Sequence, residues 1–284
     1  MSGFSAEWLS LREPVDHASR NGVVKRAMLN YLITKHGKSL SHLNMIDLGC
    51  GTGSNLRAIS PFLGRHQNWT LVDYDAQLLT AARETLVEWA DEVLTDDNHT
   101  LQIKRAENIL KIDFLQIDLM QSYGEVLNRQ PDLITAAAFF DLVSPDWIIR
   151  FTEALKSPLY TVLTYNGNEK WMPPHAVDGA MLKAFIHHQQ TNKGFGPAAG
   201  PAAAQVLIQA LQKVGYVVTE GLSNWVLYQP DHLNLTRMLA KGIAQAVVET
   251  GQVDQGDIND WLASRSQALN CEIGHVDIFA APAS

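Results

Sequence analysis

The chain has 284 residues, of which 46% are hydrophobic and 18% charged, and it carries a formal net charge of −8. That is enough apolar material for one large domain and too little charge for a disordered chain. The acidic balance, without any cluster of lysines and arginines, argues against a nucleic-acid partner, whose phosphates demand concentrated positive charge.

The first residues hold no basic leader followed by an apolar run, and no stretch approaches about 18 unbroken apolar residues. Neither a signal peptide nor a membrane span is therefore expected, and the expected compartment is the cytoplasm. The two cysteines, Cys50 and Cys271, are far apart in sequence. A disulfide framework or a zinc cluster is not expected from them, and no metal site is read.

From Pro14 to about Lys35 the spacing predicts helix, with Val24, Ala27, Met28, Tyr31 and Leu32 on one stripe and Pro14 in the first turn. Leu43–Leu48 reads as a buried strand that runs straight into glycines. Ser54–Leu63 reads as a helix, Trp69–Asp73 as a second strand and Ala76–Leu94 as a longer helix. Further strands are expected at Ile112–Ile117, Leu133–Ala138 and Leu159–Tyr165, with Thr100–Asn108 as an added hairpin. Short apolar strands alternating with helices indicate a parallel sheet covered on both faces.

After Tyr165 the rhythm breaks. Residues 166–201 are rich in Gly, Pro, His and Asn, with one helix expected at Gly179–Gln190. A long irregular segment inside a compact domain is usually functional. Beyond it come a helix at Ala202–Val214 and a strand at Tyr216–Gly221 that continues towards Leu227. Helices at Leu233–Thr250 and Ile258–Leu269 then form a cap, and a last strand falls at Ile273–Ala280.

The segment Met45-Ile-Asp-Leu-Gly-Cys-Gly-Thr-Gly53 carries the chemistry. A strand enters a tight turn that opens a helix, and glycines there let the backbone approach a ligand closely. Asp73 ends the following strand, where a carboxylate can bind two ribose hydroxyls. A dinucleotide fingerprint would need a further glycine where Ser54 stands. Cys50 reads as packing inside the turn.

This spacing of Gly49, Gly51 and Gly53 after Asp47 resembles the first motif of the class I S-adenosylmethionine-dependent methyltransferases. Leu71-Val-Asp-Tyr-Asp75 looks like their second motif, Phe114-Leu-Gln-Ile-Asp-Leu119 like the third, and Pro131–Ala138 like the fourth strand. The resemblance covers Leu43 to Tyr165. It implies a Rossmann-like α/β fold with a seven-stranded, mostly parallel sheet whose last strand is antiparallel, helices on both faces, an N-terminal helical lid and C-terminal helical insertions.

It also implies S-adenosyl-L-methionine as cofactor, held by Asp47, Gly49, Gly51, Gly53, Asp73, Tyr74, Asp118, Leu119 and Ala136. In that reading Asp73 meets the ribose and Asp118 the adenine amino group. Each acid alone would read as a helix or turn cap; three in register with the glycine turn read as a site.

The expected organisation is one domain of four parts. These are a helical lid (1–40), a donor-binding core (41–165), an acceptor-site insertion (166–201) and the rest of the sheet with its helical cap (202–284). Arg12, Asp16 and Arg20, four residues apart, read either as a surface ion-pair row or as a lid that meets a carboxylate of donor or substrate.

The expected function is methyl transfer to a small-molecule acceptor at oxygen or nitrogen. A protein that holds the donor without transferring methyl, and a donor-using transferase of another kind, are the alternatives. Orientation alone can supply about 7–11 kcal/mol of such a barrier, so a base is optional. The candidates for one are His187 and His188, at the end of the expected helix before Lys193-Gly-Phe-Gly-Pro197, and Asp141 and Tyr165 at the ends of the fourth and fifth strands. The histidines read equally as a solvated helix end. No motif marks nucleic-acid or membrane substrates, and monomer and homodimer are both compatible with the sequence.

Overall fold

The computed structural model describes residues 5–97, 99–192 and 194–283. Two helices, α1 (Ala6–Ala18) and α2 (Gly22–His36), precede the sheet. They are separate because Asn21 caps α2, its side chain accepting the Val23 and Val24 amides at 2.9 and 3.1 Å. Pro14 lies inside α1 rather than in a first turn; the true N-cap is Ser5, whose hydroxyl accepts the Trp8 amide.

There follow β1 (Leu43–Leu48), α3 (Ser54–Ile59), β2 (His66–Asp73), α4 (Ala76–Trp89), β3 (Glu92–Asp96), β4 (Thr100–Arg105), β5 (Asn108–Gln116) and α5 (Leu119–Leu127). Next come β6 (Leu133–Ala137), α6 (Pro145–Ala154), β7 (Leu159–Met172), α7 (Asp178–Gln189) and α8 (Ala203–Lys213). The chain finishes with β8 (Tyr216–Leu222), β9 (Trp225–Tyr228), α9 (Leu233–Thr250), α10 (Gln255–Arg265) and β10 (Asn270–Pro282).

The strands form one sheet in the order β3-β4-β5-β2-β1-β6-β7-β10-β8, with β9 beside the outer half of β10. Strands β5, β2, β1, β6 and β7 are parallel, and β10 runs antiparallel between β7 and β8. This is the expected Rossmann-like α/β sheet with an antiparallel last strand. It has ten strands instead of seven, because β3 and β4 extend one edge and β9 the other end.

β1 is apolar almost throughout because both of its faces are covered: Leu43 and Met45 point into one core, Ile46 and Leu48 into the other. The first core is closed by α2, α4 and the late helices, the second by α5, α6 and α8.

Several boundaries differ from the expectation, three of them with a visible cause. α4 stops at Trp89 and does not reach Leu94, since the Asp91 carboxylate accepts the Ala106 amide at 2.6 Å and pairs with Arg105 at 2.5 Å. Those bonds turn the chain into the β3–β4 hairpin. β7 does not end at Tyr165 but runs to Met172, because β10 pairs with it along its whole length. The first part of the segment expected to be irregular is thus strand. β8 and β9 are separate strands, and α9 and α10 lie between β9 and β10 in sequence, packed against α7 and each other.

Candidate active site

The carboxyl ends of the parallel strands meet at the glycine turn. Gly49, Gly51 and Gly53 have φ of 60, 53 and 78°, a region that side chains with a Cβ rarely adopt. A Cβ on Gly49 would lie 2.8 Å from the Phe139 ring, so close approach demands glycine there as well. The Gly51 amide donates to Asp73 Oδ2 at 2.9 Å, and the Asp75 amide to Oδ1 at 3.0 Å. Asp73 therefore braces the turn from the end of β2. Burial raises its pKa against the lowering effect of those amides.

Asp47 is 1% exposed. Its Oδ1 accepts from Asn55 Nδ2 at 2.7 Å and Thr135 Oγ1 at 2.6 Å, while Oδ2 is buried with no partner among the described residues. Burial lifts its pKa to about 6. Cys50 is buried and its thiol is pushed well up, as a packing residue should be.

The remaining expected donor contacts line the next two strand ends. Tyr74 is 57% exposed, just beyond Asp73. Asp118 caps α5, accepting the Met120 amide at 2.9 Å and Gln121 Nε2 at 3.1 Å, so the capping role does hold for this acid. Leu119 is buried behind it, and Ala136 lies inside β6 beside Leu48. The Ile117 amide donates to the Asp73 carbonyl at 3.0 Å, which makes the two strand ends neighbours.

α1 lies across the turn. Leu9 touches Gly51, Glu13 forms a two-pronged pair with Arg57, His17 Nε2 bonds Ser54 Oγ at 3.0 Å, and Arg20 donates to Asn55 at 2.8 Å. Burial alone would raise the pKa of Glu13, but Arg57 wins and lowers it. The row of Arg12, Asp16 and Arg20 is not a surface one. Arg12 pairs with the buried Asp16 at 2.7 Å, stacks 5.1 Å from the Trp225 ring centre, and Trp225 Nε1 donates to Asp16 at 2.9 Å.

Beyond the turn, three strands contribute acid and base groups. Asp141 follows β6, and its Oδ1 is buried without a hydrogen-bond donor among the described residues. Burial raises its pKa to about 6, with the Arg12 charge pulling the other way. Tyr165, on β7, donates to Glu169 Oε1 at 2.9 Å, and Trp171 Nε1 donates to Oε2 at 3.2 Å. Burial and the Glu169 charge push the Tyr165 phenol up, so it stays protonated. On β10, His275 is 6% exposed with Nδ1 unpartnered among the described residues, 6.2 Å ring to ring from Tyr165. Burial, then the Arg12 charge, lower its pKa to about 3 and keep it neutral.

His187 and His188 do not join this group. His188 Nε2 pairs with Glu249 of α9 at 3.0 Å, and His187 is exposed. The α7 side chain that meets Tyr165 is Phe185. Neither histidine therefore has a contact with Tyr165 among the described residues. Lys193 of the loop lies outside the described residues. Phe195 from the same loop packs edge-on against Phe139 and Trp147, joining the segment to the ring above Gly49. Sequence reasoning missed Glu169 and His275. Glu169 looked like loop because the extension of β7 was hidden, and a lone histidine in the apolar run of β10 was the one available signal.

No protein-family model matches the chain, and no curated protein is similar to it. Solved structures do align along most of it. Phosphoethanolamine N-methyltransferase 2 of Haemonchus contortus, in complex with phosphomonomethylethanolamine and S-adenosylhomocysteine, is 12% identical, covers 99% of this chain and has a TM-score of 0.46. This chain spans 59% of that one. A cyclopropane synthase of Mycobacterium tuberculosis is 13% identical over 97% of this chain and 94% of its own, with a TM-score of 0.47. Magnesium protoporphyrin IX methyltransferase of Synechocystis, with bound S-adenosylhomocysteine, is 11% identical over 99% and 90%, at 0.46.

Proposed function

We propose that the chain is an S-adenosylmethionine-dependent methyltransferase acting on a small-molecule acceptor at oxygen or nitrogen. The observation that carries this reading is the glycine turn tied by the Gly51 amide to Asp73. The residues present fit the donor. Each Asp73 oxygen accepts one amide bond and keeps capacity for a ribose hydroxyl. Tyr74 offers an exposed ring beside it, and Asp118 keeps a lone pair beyond its cap bonds. Asp47 Oδ2 is a buried acceptor awaiting a donor. Gly49 lets the turn pass close under the Phe139 ring.

When bound, S-adenosylmethionine supplies a methyl carbon on a sulfonium, which a nucleophile takes while the sulfur keeps the electron pair of the broken bond. The chain's own part is to orient the nucleophile, keep water out and hold the proton it gives up. Asp141 is suited to holding that proton. Its Oδ1 is unpartnered among the described residues, and with a pKa near 6 it is ionised yet still basic near neutral pH. Tyr165, whose hydroxyl is committed to Glu169, feels the Asp141 charge, and neutral His275 lies 6.2 Å ring to ring from Tyr165. Phe139 over Gly49, with Phe195 edge-on against it and the buried Trp147 and Phe140 behind, flanks the turn with apolar rings.

α1 is then a cover over the donor, fastened by Glu13–Arg57 and Arg20–Asn55. The buried Asp141, with Oδ1 unpartnered among the described residues, favours an enzyme over a protein that only holds the donor, since a pure binding site gains nothing from an idle buried acid. Incubation of the protein with methyl-labelled S-adenosylmethionine and the small-molecule fraction of a cell extract tests the reading. Label should pass to a small molecule with wild type and fall strongly with Asp141→Asn. Donor binding with no labelled product from any extract would leave only the holding role.

A further inference from the structure

Next to the Tyr165–Glu169 pair lies a cavity of about 160 Å³ between β7, α7, α9 and α10. Its walls include Glu169, Trp171, Met181, Leu182, Ile243 and Trp261. An apolar cavity of about 150 Å³ holds one benzene ring, so this one has room for a single six-membered ring or a branched alkyl group of similar bulk. Nothing in the core requires it. It opens to solvent where Gly179 is exposed, so a small ligand can enter it.

Charge in this cavity is unbalanced. Arg265, fully buried, is committed to Asp178 by bonds of 2.8 and 3.0 Å, and to the Pro173 carbonyl at 2.6 Å. It also lies against the Trp171 and Trp261 rings, at 5.6 and 5.9 Å. Trp261 Nε1 donates to the same Asp178. That corner is neutral, and both ring systems already have their cation. Glu169 is different: its two donors, the Tyr165 hydroxyl and the Trp171 indole, are both neutral. Burial and the Asp178 charge hold its pKa up, which is how a carboxyl short of a cation behaves.

We propose that this cavity takes the apolar ring of the methyl acceptor and that Glu169 pairs with an amine carried by that ring. The acceptor class is thus a small aryl- or cycloalkyl-alkylamine, and a carboxylate in the same position is rejected by Glu169. The proposal rests on the methyltransferase reading for the word acceptor, and on the cavity alone for the ligand. Tyr165 joins the two sites, since its hydroxyl holds Glu169 while its phenol feels the charge of Asp141.

The test is calorimetry on the full chain with phenethylamine, and with phenylacetate as the carboxylate of matching size, each with and without S-adenosylhomocysteine. Phenethylamine should bind saturably and phenylacetate should not. Leu182→Trp, which fills the cavity, should abolish amine binding. Ile243→Phe serves if that variant loses its thermal transition. Glu169→Gln should weaken the amine about 10-fold or more, the loss expected of a charge-assisted bond, without changing S-adenosylhomocysteine affinity. No saturable amine binding, equal binding of phenylacetate, or indifference to both filling variants would overturn the proposal. A wild type that binds the amine but not S-adenosylhomocysteine would instead overturn the donor reading and leave the cavity assignment standing.

Discussion

Asp141→Asn should make the protein more stable, and the gain should depend on pH in a defined way. The carboxyl titrates at about 6 in the folded chain against an ordinary 3.8, and burial is the main cause. Below the unfolded value both states are protonated and the acid costs nothing. Between 3.8 and about 6 the unfolded chain ionises first and stability falls. Above about 6 both states are ionised and the whole cost is present, on the order of 3 kcal/mol as an upper figure at 1.36 kcal/mol per tenfold change in acidity.

Asparagine keeps the shape and removes the charge. Urea denaturation of both proteins should give equal stabilities near pH 4 and a variant more stable by about 1–3 kcal/mol near pH 8. The same variant should lose about 10²–10⁴-fold in turnover if Asp141 is the proton acceptor, and the wild-type rate should rise through the pH where this acid ionises. A stability difference that does not change with pH would refute the idea that Asp141 is held as a desolvated acid.

Other substitutions probe the rest of the site. Gly49→Ala forces a Cβ to within 2.8 Å of Phe139 at a φ of 60°, and should lower the thermal midpoint by an amount corresponding to about 1–3 kcal/mol. Glu13→Ala unfastens α1 from Arg57, and stopped-flow measurement should show faster release of S-adenosylhomocysteine with the domain still folded. Rates equal to wild type would remove α1 from any covering role. His188→Ala breaks a partly exposed pair with Glu249, so stability should change by less than about 1 kcal/mol and turnover hardly at all.

The elements that were legible in the sequence are those fixed by local rules. β1 entering the glycine turn showed itself through a continuous apolar run followed by residues suited to positive φ, and the antiparallel last strand fell where expected. Elements governed by distant partners were not legible. α4 looks helical to Leu94 until Asp91 is seen to bind the β4–β5 turn. β7 looks finished at Tyr165 until β10 is laid beside it. That one strand hid Glu169, and with it the cavity. The two histidines of α7 were attractive for their chemistry, but which way a helix face points is set by tertiary packing, here by α9. Arg12 and Asp16 show the same lesson in reverse. Their four-residue spacing is that of a surface pair, yet Trp225 buries them.

The central claim is that the glycine turn and Asp73 together hold S-adenosylmethionine. Calorimetry with S-adenosylhomocysteine tests it most directly, on wild type and on Asp73→Ala, with NAD as the competing ligand. Saturable binding to the wild type is expected, with a loss of about 1.5–3 kcal/mol in the variant and no binding of NAD. Preference for NAD, or an affinity for S-adenosylhomocysteine that is unchanged in a folded Asp73→Ala protein, would contradict it.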